Sequence, residues 1–366
     1  MMFKVLQVVP NLSVKSGASS FLMNLYRNID RSEIQFDFLV TKKTEPSYQI
    51  EIEALGGRVF YAPNPLSLSF FSTIKYLRGF FSKNSKDYSV VHIHSPNLIM
   101  FVAPFARGAK IRKVIAHSHS SKFSASKIKQ LIDQLLVFGI KKFITDFWAC
   151  SPEAGQFLFG KNSSFVLIKN AIDPEPFKFD VEARDYVRKE LNIEGKKVIC
   201  HVSNFNRLKN TFFLTDVINL VAQSSDEFVF LFVGEGSDKQ ELVKRLAKLR
   251  MLKKCIFVGF QSKVAKYLNA SDALVLPSIK EGAPVILIEA QSNGLPCFVS
   301  NSVTRYVNMG LCEYLPLKTN VWISKILMFK KSTNSERCKA INRIKSSDYS
   351  VENTARFVTN LYKQRE

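Results

Sequence analysis

No stretch of the 366 residues approaches the ~18 consecutive apolar residues of a membrane-crossing helix; Leu98–Ala106 is too short. The opening, MMFKVLQVVPNL, lacks an extended apolar h-region and reads as a first strand, not as a secretory leader. Cysteine is sparse, six residues at 150, 200, 255, 297, 312 and 338, with no C-x-x-C and no paired spacing. That excludes a zinc-ribbon framework and points to reduced thiols in a cytoplasmic protein, several of them packed in strands as small hydrophobes. No D-x-D triplet occurs, so no paired-acid cation clamp is visible. Zinc-finger, KH and RNP signatures are missing too, which leaves charge alone to argue for nucleic acid. Acidic residues are scarce: 31 Asp and Glu stand against 52 Lys and Arg, a net charge of +21. Residues 71–170 hold fifteen Lys/Arg and four Asp/Glu, so this segment carries +11, over half the total. A surface of that kind suits phosphorylated ligands or anionic lipid. What is present is globular, with 46% hydrophobic and 23% charged residues, in a chain long enough for about two domains.

The most informative stretch is Ala273 to Ser300, ALVLPSIKEGAPVILIEAQSNGLPCFVS. Ala273–Leu276 reads as a buried strand, Pro277-Ser278 as a break, and Glu281-Gly282 as a loop. A helix opens near Pro284, where a missing N–H does no harm, and Gly294-Leu295-Pro296 ends it before a second strand, Cys297–Ser300. Glu281 and Glu289 are thereby spaced E-x7-E across the end of a strand and the start of a helix. The unpaired N–H groups and dipole of such a helix start favour an anion, for instance a diphosphate. Gly282 lets a ligand approach the backbone closely. A carboxylate one turn into the helix can accept hydrogen bonds from a ribose, and one in the loop can face a sugar. Two solvated glutamates beside an ordinary turn would produce the same bare spacing.

The residues around the pair decide between these readings. PSIKEGAPVILIEAQSNGLP resembles the nucleotide-sugar signature of family 4 glycosyltransferases, retaining enzymes of the GT-B architecture, in which two Rossmann-like α/β domains face a central cleft. SPEAGQFLFG (151–160) and KNAIDP (169–174) are family-like as well, the latter resembling an interdomain crossing. The resemblance implies an acceptor-binding domain over 1–172 and a donor-binding domain over 173–349, with a helix from about 350 to 366 returning to the first. It places Glu281 against the hydroxyls of the transferred sugar, Glu289 on the ribose, and Gly282, Ala283, Pro284, Val285 and Ile286 along the diphosphate and sugar. Gly234 falls at the turn after a strand, and Val258-Gly259-Phe260 in the loop that holds the base through backbone groups. Gly17, within Ser16-Gly17-Ala18-Ser19, matches a donor-phosphate position where relatives carry a Gly-Gly pair. His119 matches the histidine that faces the donor sugar, with His117 the alternative. In the segment HVSNFNRLKN, Lys209 matches the family lysine, while Ser203-Asn204 stands where relatives carry Gly-Arg. Arg207 is then the neighbouring cation able to take the place of the arginine missing at Asn204.

Taken in order, Lys4–Val9 is a first strand, followed by the loop Pro10–Gly17 and a helix through Phe21–Asn28, the opening of a Rossmann-like half. Ile34–Val40 alternates as a strand and Arg58–Tyr61 is the next. Leu66–Phe81 has helical apolar spacing. It reads either as a helix packed on its sheet or as one whose extra phenylalanines, with Lys75, Arg78, Lys83 and Lys86, touch a membrane. Val90–His94 and Val114–His119 are strands each ending in a histidine pair, with no acidic or Cys neighbour in either segment to complete a metal site. Lys127–Lys142 is a basic amphipathic helix. From Lys197–Val202 the strand–loop–helix order restarts, with later strands at Phe228–Val233, Cys255–Val258, Ala273–Leu276 and Tyr314–Leu317. The expected activity is metal-independent, retaining transfer of a sugar from a nucleotide donor, UDP-linked by expectation, to a lipid-linked saccharide in bacterial surface polysaccharide synthesis. No cofactor and no nucleic acid are expected, and the basic half would sit against the anionic inner face of the cell membrane. The alternative is a noncatalytic GT-B partner whose donor site has degenerated.

Overall fold

Residues 2–14, 16–65, 70–119 and 139–364 are described by a computed structural model. The chain divides into two compact units, one running to Ile172 and resuming at Val351, the other spanning Asp173–Ser350. The first holds β1 (Phe3–Val9), β2 (Ile34–Val40), β3 (Val59–Tyr61), β4 (Val90–Ile93), β5 (Lys113–Ser118), β6 (Asp146–Ala149) and β7 (Val166–Leu167), in spatial order β3-β2-β1-β4-β5-β6-β7. The second holds β8 (Lys197–Val202), β9 (Phe228–Val233), β10 (Cys255–Gly259), β11 (Ala273–Leu276), β12 (Cys297–Ser300) and β13 (Cys312–Leu315), in order β10-β9-β8-β11-β12-β13. Every strand pairing in both sheets is parallel. A parallel sheet is covered on both faces, which is why β9 reads FVFLFV without alternation and is buried throughout. In each sheet the winding reverses beside the first strand, between β1 and β4 and between β8 and β11. The loops that leave those strands diverge there and open the crevice where ligands bind in this kind of sheet.

Two local readings, of the first helix and of the last strand, need correction. β2 falls where its alternation places it, with all seven residues buried and its polar positions paired inside. Gln35 donates to Tyr26 Oη at 2.5 Å, and the Asp37 carboxylate accepts from the Arg58 guanidinium at 2.7 and 2.9 Å and from Tyr88 Oη at 2.9 Å. A buried carboxylate needs such partners, so period two here encodes an internal polar network. The first helix starts at Gly17, earlier than its apolar run, because the Ser16 side chain caps it by accepting from the Ser19 N–H. The last strand of the second sheet is Cys312–Leu315, shifted two residues toward the N-terminus by its register on β12.

The helix expected over Leu66–Phe81 is described from Phe70 to Asn84. It buries Thr73, Leu77, Phe80 and Phe81 and exposes Lys75, Arg78 and Lys83; Phe71 is 85% exposed. Residues 66–69, and 127–138 of the basic helix, lie outside the described residues. No described helix is long and apolar enough to cross a membrane. The helix Val351–Lys363 buries Val351, Thr354, Ala355, Val358 and Tyr362, the i, i+3, i+4, i+7, i+11 stripe of an amphipathic helix, against the Gly17–Asn28 helix of the first unit. Val351 N–H donates to Ile172 O at 2.9 Å, and Lys113 Nζ to Leu361 O at 2.8 Å, which ties its two ends to that unit.

Candidate functional site

In the second unit, the loops after β8 and β11 leave the sheet at its switch point and are bonded to one another. Asn206 caps the short turn Arg207–Lys209, accepting from the N–H groups of Leu208 at 3.0 Å and Lys209 at 3.3 Å. Asn210 then takes a left-handed conformation (φ 56°) that turns the chain into the helix Thr211–Ser224, and its amide donates to Pro277 O at 3.2 Å. Ile279 N–H donates to Leu208 O at 2.9 Å. On this frame Lys209 Nζ forms an ion pair with Oε1 of Glu281, and the same oxygen accepts from Ser278 Oγ at 2.9 Å. Glu281 is further held by a backbone bridge to Val303. Its Oε1 is therefore occupied and its position set, while Oε2 is the oxygen left to meet a ligand.

Glu289 lies one turn into the helix Val285–Ser292, and Pro284 is the N-cap, one residue outside the helix proper. No side chain caps this end, so its first N–H groups face outward from the end of β11 uncapped. The Glu289 carboxyl is half-buried and receives no hydrogen bond or ion pair from the described residues. Burial alone pushes its pKa up to about 7. A carboxylate left unpaired in this way is an acceptor waiting for donors. Asn204 and Arg207 are both exposed, and neither meets an acidic partner among the described residues.

The turns after β9 and β10 have a steric reason for their glycines. A Cβ on Gly234 (φ 132°) would lie 1.9 Å from Ser203 O, and one on Gly236 would lie 2.1 Å from Phe205 O, so both glycines let the β8 loop pass. Gly234 N–H donates to Gly259 O at 2.8 Å, and Gln261 Nε2 to Val258 O at 2.6 Å. Two of the three carbonyls of Val258-Gly259-Phe260 are thus engaged within the protein, while Phe260 is 40% exposed.

In the first unit, Gly17 occupies the first helical position after the β1 loop, and no protein atom lies within 4 Å of a Cβ added there. Beside that loop, the two histidine pairs meet. His92 and His94, on and just after β4, and His117 and His119, on and just after β5, form a two-by-two array on one face of the sheet, under Phe21 and Tyr362. His92 Nδ1 lies 2.6 Å from Tyr362 Oη and its Nε2 lies 3.2 Å from His117 Nδ1. His94 Nδ1 is 2.8 Å from His119 Nε2, and its Nε2 is 2.9 Å from Gln7 Oε1. Gln7 Nε2 completes the chain by donating to Tyr362 Oη at 3.2 Å. Burial lowers the pKa of all four rings, of His119 to about 4, so they are neutral near pH 7. His92, His94 and His117 each offer a ring nitrogen within 4.8 Å of the others, spacing that could admit an ion. Yet among these rings only His117 Nε2 lacks a hydrogen-bond partner. Gln7 and Tyr362 were not visible as site residues, since their roles come from strand adjacency and from a helix 355 positions along the chain, while Ser278, three residues before Glu281, was read only as part of a break.

Comparison with known proteins adds a family. The family Glycosyl transferases group 1 matches residues 183–309, which include every candidate donor residue except Gly17 and His119. EpsF of Bacillus subtilis (strain 168), named as a glycosyltransferase, is 33% identical over 320 residues, 84% of this chain and 82% of its own length. The UDP-Gal:alpha-D-GlcNAc-diphosphoundecaprenol alpha-1,3-galactosyltransferase of Escherichia coli is 26% identical over 280 residues, 73% of this chain and 72% of its own. Among solved structures, HepE of Anabaena in complex with UDP and glucose matches with a TM-score of 0.79 at 16% identity, covering 98% of this chain and 99% of that one. The two parallel sheets with their helices are those of the GT-B architecture.

Proposed function

We propose, from the premise that this chain belongs to the group 1 (family 4-type) glycosyltransferases, that it transfers a sugar from a UDP-sugar to a lipid-linked saccharide, retaining the anomeric configuration and using no metal. Its coarser place, as a glycosyltransferase of bacterial polysaccharide biosynthesis, is established by that membership. The observation that carries the finer reading is the unpartnered Glu289 carboxyl on the uncapped helix at the end of β11, next to the anchored pair Lys209–Glu281. Ribose hydroxyls donate to Glu289. The diphosphate lies along Gly282–Ile286, meets the N–H groups of Val285 and Ile286 at the start of the Val285–Ser292 helix, and takes Lys209 Nζ from Glu281. As the sugar–phosphate bond breaks, that ammonium and those N–H groups stabilise the charge developing on the leaving phosphate. Glu281, kept in place by Ser278 and its bridge to Val303, turns toward the sugar hydroxyls. Arg207 is the exposed cation nearest in sequence to the arginine replaced by Asn204.

The acceptor assignment draws on the E. coli relative, whose own acceptor is a diphosphoundecaprenol-linked sugar. It also draws on the +11 carried by residues 71–170 and on the exposed Phe70 and Phe71 beside Lys75 and Arg78. One observation favours a noncatalytic partner instead: Lys209, the family cation that remains, is already neutralised by Glu281. Titration calorimetry with UDP separates the two. Glu289→Ala should weaken binding by about 1–3 kcal/mol, the scale of a lost charge-assisted hydrogen bond; a folded variant with wild-type affinity removes the donor-site assignment.

A further inference from the structure

Four histidines, Gln7 and Tyr362 are joined in one unbroken run of hydrogen bonds, and the available hydrogens allow that run only two directions. Each neutral ring carries one N–H, and Tyr362 has one hydroxyl hydrogen. With Gln7 Nε2 donating to Tyr362 Oη at 3.2 Å, Gln7 Oε1 accepts from His94 Nε2 at 2.9 Å. His94 Nδ1 is then bare and accepts from His119 Nε2 at 2.8 Å. On the other branch, the buried Tyr362 hydroxyl spends its hydrogen on His92 Nδ1 at 2.6 Å, and His92 Nε2 donates to His117 Nδ1 at 3.2 Å. The run ends on His117 Nε2–H, the ring atom without a partner. All four rings are thereby Nε2–H tautomers. Turning the Gln7 carboxamide over reverses every bond and makes all four Nδ1–H.

We propose that Gln7 is a positioning residue for His119: acting through His94, its carboxamide selects the Nε2–H tautomer and presents His119 Nδ1 as a hydrogen-bond acceptor. This rests on the reading of His119 as a sugar-facing residue. A sugar hydroxyl donates to that nitrogen, displacing Asn170, whose bond to the ring favours its protonated form. The opposite tautomer would present an N–H there and suit an acceptor group instead. Tyr362 couples His92 and His117 to the same carboxamide, so a residue of the C-terminal helix takes part in the choice.

The test is nitrogen NMR of protein labelled at histidine, a spectrum of only five rings. His201 is an internal reference, since Nδ1–H donates to Val275 O at 3.0 Å and Nε2 accepts from Ser203 Oγ at 2.7 Å. Near pH 7 the wild type should show four Nε2–H rings and one Nδ1–H ring; Nδ1–H at His94 and His119 overturns the proposal. Gln7→Met, checked for folding by its melting curve, should release the His119 tautomer and lower kcat about 10- to 100-fold, the scale found when the partner orienting a metal-bound histidine is removed. Gln7→Glu keeps an oxygen for His94 Nε2–H and should restore both the His119 tautomer and kcat. If Gln7→Met folds and leaves His119 and kcat unchanged, Gln7 has no positioning role. Should Gln7→Met not fold, the wild-type spectrum decides alone. The expected spectrum in a protein that turns over no nucleotide sugar supports the relay and refutes the transferase reading; the reversed spectrum in an active enzyme does the opposite.

Discussion

The proposed role of Glu289 in ribose binding couples that binding to stability in a way that pH exposes. The carboxyl's pKa, ordinarily near 4.5, is raised to about 7 in the folded protein by burial alone. A group whose folded pKa exceeds its unfolded one favours folding while protonated, and that contribution is lost as pH rises through the folded value. From about pH 4.5 to 7 the wild type therefore loses stability progressively, reaching a cost of about 3 kcal/mol above pH 7 at 1.36 kcal/mol per unit. Glu289→Gln keeps the shape and removes the ionisation. The variant should match the wild type near pH 4.5 and exceed it at pH 8.5 by up to about 3 kcal/mol, a rise in Tm of roughly 6–12 °C for a domain of this size. UDP binding should move the other way. Ribose hydroxyls need the ionised carboxylate, so wild-type affinity should fall as pH drops below 7, while that of Glu289→Gln should be weaker and nearly flat. Melting curves and calorimetry between pH 5 and 8.5 read both effects. Parallel stability profiles for the two proteins, or equal UDP affinities at pH 8.5, refute the placement of an unpaired donor carboxylate at this position.

Lys209→Ala should lower kcat by on the order of 10²–10³, the cost of removing one preorganised donor at a developing anion; a comparable loss in Arg207→Ala identifies a second phosphate cation, and retention of wild-type kcat in both removes Lys209 from the mechanism. Turnover should persist in excess EDTA, and activity lost there but restored by magnesium or manganese contradicts metal-free chemistry. Anionic vesicles should bind the protein with an affinity that falls as salt rises, and Phe71→Ser should weaken it about tenfold by removing one inserted ring; equal cosedimentation with neutral lipid contradicts the electrostatic part. Gly236→Ala should lose at least about 2 kcal/mol in a denaturation titration, because its Cβ would overlap Phe205 O at 2.1 Å.

The sheets were legible because parallel strands buried on both faces leave continuous apolar runs, as in Phe228–Val233 and Ala273–Leu276, and because Gly294 and Pro296 punctuate the return to Cys297–Ser300. The placement of Glu281 in a loop and of Glu289 one turn into a helix was legible, since both are local facts. What each carboxylate touches was not. The Lys209–Glu281 pair spans 72 positions and exists only because β8 and β11 are neighbours. The histidine array has the same origin: His92 to His117 is a contact across adjacent strands, and the Gln7–Tyr362 bond depends on where a distant helix docks. Period two in Ile34–Val40 located that strand at its observed bounds, while the pairing of its polar positions inside the unit depends on Tyr26, Arg58 and Tyr88 from other elements.

The central claim is transfer from a UDP-sugar with retention, and the direct measurement is incubation of the purified protein with labelled UDP-sugars and a polyprenyl-diphosphate-linked sugar, followed by lipid extraction and NMR of the new linkage. The account predicts label in the lipid fraction, one UDP released per sugar moved, the donor's α-configuration in the product, and loss of transfer in Lys209→Ala. A product of inverted configuration contradicts the mechanism. No transfer and no binding of any UDP-sugar, by the wild type and by Asn204→Arg alike, contradicts the enzyme itself and leaves the noncatalytic partner.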